Sequence, residues 1–177
     1  DADSIYVNMF VGSTVTVGSV AGTNVQIVQK TDYPWSGKVS ITVNPAADKP
    51  FSVKVRVPNR NVSGLYSNTP AVNAISSIAV NGRSVTPTID KGYATITRTW
   101  KAGDTVTLDL PMPVRRVVAN EAIVDDRDKF AVERGPIVFC AEGADNSGKL
   151  MNRVVNPDVR FETQAQPDLL NGVVTVK

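Results

Sequence analysis

Hydrophobic and polar residues alternate along much of this chain, and a period of two suits a pleated strand and not a helix. Phe51, Val53, Val55 and Val57 are separated by Ser52, Lys54 and Arg56, and Pro58 ends the run. Val39, Ile41 and Val43 alternate with Ser40 and Thr42, and Val106, Leu108 and Leu110 line one face before Pro111 and Pro113. Each reads as a strand with one side against a core and the other in solvent. The residue types agree, because 29 Val and 15 Thr stand against 6 Leu. β-Branched side chains lose rotamer freedom in a helix but pack well on a sheet. The expected fold class is all-β: an antiparallel β-sandwich, with a partial second β domain or β extension.

Further strands follow from the same pattern. In Ser4–Phe10 the sequence sets Ile5, Val7 and Met9 on one face, with Tyr6, Asn8 and Phe10 on the other. Val15 and Val17 form a short pair before turns at Gly18 and Gly22, and Val25 and Ile27 lead a third strand. Asn81-Gly82 follows Ile78 and Val80 and marks a hairpin, since both residues tolerate positive φ. Tyr93–Trp100 is another strand, with Trp100 expected to plug the core. Residues 59–75 are irregular, fitting a short helix or an ordered loop. The expected division is a sandwich over 1–118, then a linker and an incomplete second β domain over 119–177. The second part holds strands at Ile137–Cys140, Val154-Val155, Val159–Phe161 and Val173–Val176, too little apolar surface for a comfortable core.

Several function classes drop out on residue content. The chain has no His, which removes Ser-His-Asp and Cys-His catalysis and His-ligated metals. One Cys allows neither an intrachain disulfide nor a thiolate metal cluster. A net charge of +2 with scattered basic residues points away from nucleic acid and from anionic membranes. No apolar run reaches the roughly 20 residues that span a bilayer as a helix.

The remaining candidates each have a plainer reading. Glu121, Asp125, Asp126 and Asp128 lack the spacing of a calcium loop and read as a solvated linker. Asp32, Asp48, Asp90 and Asp104 sit at turns, so they offer no evident pair for glycosidic hydrolysis. Cys140 follows Ile137-Val138-Phe139 and reads as an inert core residue. Asn61-Val62-Ser63 is a glycosylation match that matters only in a eukaryotic secretory host. Tyr33 and Trp35 flank Pro34 in a turn, an unusual place for two large rings. They are the candidate binding residues, as a surface that docks on another domain in preference to a sugar platform, and the plainer reading is a turn folding back over the sandwich end.

Several segments together resemble a known family: SIYVNMFVGSTVTV, QKTDYPWSGKVSITV, FSVKVRVPN, IAVNG, KGYATITRTWKAGDTVTLDLPMPVRRV and FAVERGPIVFCAE. Their order is similar to the region after the catalytic barrel in β-L-arabinofuranosidase-type glycoside hydrolases (family 127 and relatives). The resemblance covers about residues 4–142, and Thr31–Trp35 and Arg134–Val138 are its most specific parts. It implies an (α/α)₆ barrel elsewhere that supplies a Cys nucleophile, a zinc site of Cys and Glu, and a Glu acid/base. Those motifs are not in this sequence, so no catalytic or metal residue carries over, and no cofactor is expected in the chain itself. The chain reads as beginning just after the family's paired-Cys segment. It departs from the family at Pro58-Asn59-Arg60, where a Trp is usual, and in lacking the family's aromatic C-terminal ending.

The resemblance implies a non-catalytic portion of a bacterial glycoside hydrolase that acts on plant-type glycans. Its expected partners are its own catalytic barrel and, in self-association, a second copy as a homodimer. A periplasmic or secreted setting is expected ahead of a cytoplasmic one. An independent carbohydrate-binding module and an adhesin-like structural domain are the alternatives.

Overall fold

In the computed structural model, described for residues 2–58, 63–148, 150, 154–156 and 158–177, strands and turns make up nearly all of the regular structure. In chain order the strands are β1 (Ser4–Val7), β2 (Ser13–Val20), β3 (Thr23–Thr31), β4 (Lys38–Pro45), β5 (Lys49–Arg56), β6 (Tyr66–Thr69), β7 (Ser77–Val80) and β8 (Arg83–Ser84). They continue as β9 (Thr88–Asp90), β10 (Tyr93–Trp100), β11 (Asp104–Asp109), β12 (Val114–Ala119), β13 (Ala131–Arg134), β14 (Ile137–Phe139), β15 (Thr163–Gln166) and β16 (Val173–Val176). Single 3₁₀ turns lie at Val124–Asp126 and Ala144–Asn146. The chain is all-β, as the alternation required.

The residues divide into two compact units, Asp1–Arg60 with Val72–Pro111, and Asn61–Ala71 with Met112–Lys177. The first is a sandwich of two sheets with orders β1-β5-β10-β9 and β2-β3-β4-β11-β7-β8. Pairing is antiparallel except that β1 runs parallel to β5, with Ile5 opposite Val53 and Val7 opposite Val55. The inward residues are those the alternation picked: Val39, Ile41 and Val43 on β4, Phe51, Val53 and Val55 on β5, Val106 and Leu108 on β11. Trp100 closes the core with no solvent exposure, and its Nε1–H donates to the Phe51 carbonyl at 2.9 Å. A buried indole keeps its polar edge satisfied only through such a bond.

Two readings of the first unit shift. β1 ends at Val7, so the alternation does not carry through Asn8; Phe10 is buried and Met9 exposed, the reverse of a continuous strand. β2 does not stop at Gly18, because Ser19 takes φ 57° and a register shift between Val17 and Val20 absorbs the break. The turn comes at Ala21-Gly22, both at positive φ. Asn81-Gly82 does form the β7–β8 hairpin, with φ of 50° and 75°.

A polar cluster fastens the β10–β11 turn. Asp104 Oδ1 accepts from Asn81 Nδ2 at 2.7 Å and Oδ2 accepts from the Lys101 amide at 2.9 Å, while Arg98 Nη2 lies 3.5 Å from Oδ2. Burial alone would raise the Asp104 pKa; the Lys101 amide, the Asn81 amide and the nearby Arg98 charge outweigh it and hold the carboxyl below its ordinary value.

The second unit has a sheet of order β14-β13-β12-β6 and a separate β15–β16 hairpin. β12 belongs here, whereas the sequence reading ran the first domain to residue 118. β6 lies in the stretch read as helix or loop, and β15 was not anticipated. Val154-Val155 and Val159–Phe161 form no strand. Every buried apolar side chain among the described residues lies in the first unit. The buried side chain of the second is Arg115, whose Nη2 meets Glu133 Oε1 at 2.5 Å directly across the β12–β13 ladder. Arg116 stacks over Phe130 and Phe161, 5.0 and 5.3 Å to the ring centroids, and donates from Nη2 to the Val159 carbonyl at 2.9 Å.

Candidate functional site

Tyr33 and Trp35 sit in the connection from β3 to β4, and the local sequence dictates its form. The Asp32 carbonyl accepts from the amides of Trp35 at 2.8 Å and Ser36 at 3.1 Å, closing a tight turn around Pro34. The Tyr33–Pro34 peptide is cis. Thr31 Oγ1 holds both arms: it accepts from the Tyr33 amide at 3.0 Å and donates to the Lys38 carbonyl at 2.9 Å. The Tyr33 ring meets buried Phe10 edge-on, with centroids 5.7 Å apart and planes at 84°. Tyr33 therefore packs against the core with part of its surface, while Trp35 is half-buried on the turn. The two rings share one turn but are placed differently, Tyr33 as an anchor and Trp35 as the more distal group.

A second aromatic group escaped the sequence reading. On the outer face of the β1-β5-β10-β9 sheet, Tyr6 and Tyr93 meet edge-on at 5.2 Å and 89°. Lys54 Nζ lies 4.9 Å from the Tyr6 ring centroid and donates to its hydroxyl at 3.0 Å, and the Tyr93 hydroxyl donates to Asn8 Oδ1 at 2.8 Å. Perpendicular rings make no flat platform for a sugar. The parallel β1–β5 pairing brings them together, and a non-local pairing of that kind leaves no trace in the alternation.

Among the described residues no three His, Cys, Asp or Glu side chains are placed to hold a metal. Cys140 is exposed just past β14, correcting its reading as a core residue: the strand ends at Phe139, so the thiol lies beyond the ladder. Asp125 and Asp128 are exposed and Asp126 is half-buried around the 3₁₀ turn. The glycosylation match begins at Asn61, outside the described residues.

Two family models match end to end along this fold. Residues 4–112 match the β-L-arabinofuranosidase GH127 middle domain, and residues 114–170 match the glycoside hydrolase family 127 C-terminal domain. The chain belongs to glycoside hydrolase family 127. Among curated proteins, this family 127 chain is 33% identical to the non-reducing end β-L-arabinofuranosidase of Bifidobacterium longum subsp. longum, over 96% of its own length and 24% of that protein. Among solved structures, a GH127 β-L-arabinofuranosidase from Geobacillus stearothermophilus T6 is 36% identical with a TM-score of 0.85, matching 99% of this chain and 26% of that one. A second GH127 β-arabinofuranosidase is 31% identical with a TM-score of 0.86, over 98% of this chain and 28% of that one. The family 127 chain thus spans about a quarter of the length of the relatives it matches.

Proposed function

We propose that this chain is the non-catalytic β-sandwich portion of a β-L-arabinofuranosidase-type hydrolase. Its task is to buttress a catalytic barrel that carries the bond-breaking chemistry. The observation that carries this is the pair of family matches, which describe middle and C-terminal domains in a chain spanning about a quarter of its relatives. The residue content supports it: there is no His, and the lone Cys is exposed away from any acidic cluster among the described residues. The donor set here does not fit a zinc site, so zinc belongs with the barrel of the parent, and the glycan substrate with it.

The Trp35 turn is the proposed docking point. Its backbone is tied down by Asp32 and Thr31, so the half-buried Trp35 ring is carried on a turn whose main chain has little freedom left to lose. The chain is nearly neutral, and docking draws on apolar contact more than on charge. Self-association is a second proposed role.

The test compares the parent hydrolase with a variant lacking these 177 residues, assaying release of L-arabinose from a β-L-arabinofuranoside. The expected result is that this chain alone has no activity, and that its removal lowers the melting temperature of the remaining barrel. Trp35→Ala in the whole protein should lower it too. Hydrolysis by the isolated chain, or a barrel indifferent to its loss, would overturn the reading.

A further inference from the structure

The second unit carries a groove built from different chemistry than the Trp35 turn. β6 is the outer strand of its sheet, and Tyr66 faces Ala119 across the ladder. A methyl group opposite a phenol leaves space that a larger side chain would fill. Val117, Phe130 and Ala131 wall that space, a cavity of about 290 Å³. A neighbouring cavity of about 480 Å³ shares Ala119, Asp126, Lys129 and Phe130 with it and reaches Asn120 and Arg127. Pockets for small ligands run to roughly 300–1,000 Å³ and combine apolar walls with a few placed polar groups.

The polar groups come from residues 120–129, which are held by their own backbone. Asn120 Oδ1 accepts from the Ala122 amide at 3.0 Å, and the Asn120 carbonyl accepts from the Ile123 amide at 2.8 Å. Both basic residues of the strap are turned to backbone oxygens: Arg127 Nε donates to the Glu121 carbonyl at 3.2 Å, and Lys129 Nζ to the Asp125 carbonyl at 2.6 Å. Among the described residues, the half-buried Asp126 carboxylate is left with neither a hydrogen bond nor an ion pair. Its oxygens keep solvent contact and are open to hydroxyl donors of a ligand.

We propose that this groove binds a carbohydrate. The exposed Tyr66 ring offers an apolar face to the C–H side of a sugar ring. Asp126, an acceptor with two oxygens, takes hydrogen bonds from neighbouring hydroxyls, and Lys129 has two N–H groups left beyond the one spent on Asp125. Arg116 already lies over the Phe130 ring, and Arg127 and Lys129 dilute the acidic charge that a basic peptide would need. The site binds and breaks no bond. This deepens the family reading and rests on it for the ligand class.

The experiment is a titration of the 177-residue chain with short β-L-arabinofuranosyl, xylosyl and mannosyl oligosaccharides and with a Lys-rich peptide, followed by ¹H–¹⁵N correlation NMR and calorimetry. One of the glycans should shift the amides of Tyr66 and residues 117–131. Tyr66→Phe keeps the ring and should keep the binding, whereas Tyr66→Ala and Asp126→Asn should each weaken it at least tenfold. No glycan binding, binding unchanged in Tyr66→Ala, shifts confined to the first unit, or preference for the peptide would each overturn the proposal. L-Arabinose release by the parent is measured separately. Its failure would sink the arabinofuranosidase reading while leaving the groove to be judged on the titration.

Discussion

Gly37 lies so close to Leu110 that a Cβ on Gly37 would overlap the Leu110 carbonyl. The two residues extend the β4–β11 ladder by one step beyond its Lys38–Asp109 pair, with the Leu110 amide donating to the Gly37 carbonyl at 2.9 Å. The glycine is needed there for space, not for a left-handed backbone. Gly37→Ala must push two strands apart at the point where the Trp35 turn joins the sheet. A loss of about 1–3 kcal/mol is expected, the range for overpacking, read by urea unfolding. An unchanged midpoint would show that the ladder end yields freely.

Trp100 supplies the second prediction. Trp100→Phe keeps an aromatic ring in the core but removes the indole bond to the Phe51 carbonyl. The expected cost is about 0.5–1.5 kcal/mol for the lost hydrogen bond, with Trp100→Ala worse at about 3–5 kcal/mol. If the two variants prove equally stable, the bond matters and the ring volume does not.

Acid should find Asp104. Its carboxyl titrates below the ordinary value of 3.8 in the folded chain, so the unfolded state takes up the proton first as pH falls. The stabilisation is therefore complete above pH 4 or so and drains away as pH drops through the lower folded value. Asp104→Asn should reduce the slope of stability against pH between pH 4 and 2, measured by thermal unfolding across that window. An identical slope in the variant would assign the acid sensitivity elsewhere.

Glu133 is the fourth target. Its carboxylate is the partner of a fully buried guanidinium, and Nε and Nη1 of Arg115 have no hydrogen-bond acceptor among the described residues. Glu133→Gln would strand a buried charge, at an expected cost of about 3–5 kcal/mol. The loss should appear in the second unit, as faster amide exchange along β12 and β13. Uniform exchange in the variant and the parent sequence would mean that the pair contributes little.

The strands that were legible are those that bury one face. β4, β5, β10 and β11 each set apolar residues against a core, so burial wrote a period of two into them. β6 has the sequence Tyr-Ser-Asn-Thr and no buried residue, so its place in a sheet rests on backbone pairing with β12 and left no mark in hydropathy. Phe10 was misplaced for a related reason: an alternation gives the facing of a residue only while the strand lasts, and β1 ends three residues earlier. The Tyr33–Trp35 turn stood out as two rings around a proline. The Tyr66 groove did not, since Ala119 opposite a tyrosine signifies nothing until the ladder register is known.

β6 also bears on how such a protein can be cut and recombined. Its residues fall within the 4–112 stretch that matches the middle domain, yet its sheet partner β12 lies in the stretch that matches the C-terminal domain. A gene fusion that exchanged everything after residue 113 would keep β6 and discard the strand it was selected to pair with. The incoming β12 would have to present a compatible edge to a foreign neighbour. Inheritance of the two segments as a single block is the arrangement this wiring favours, whatever catalytic domain they accompany.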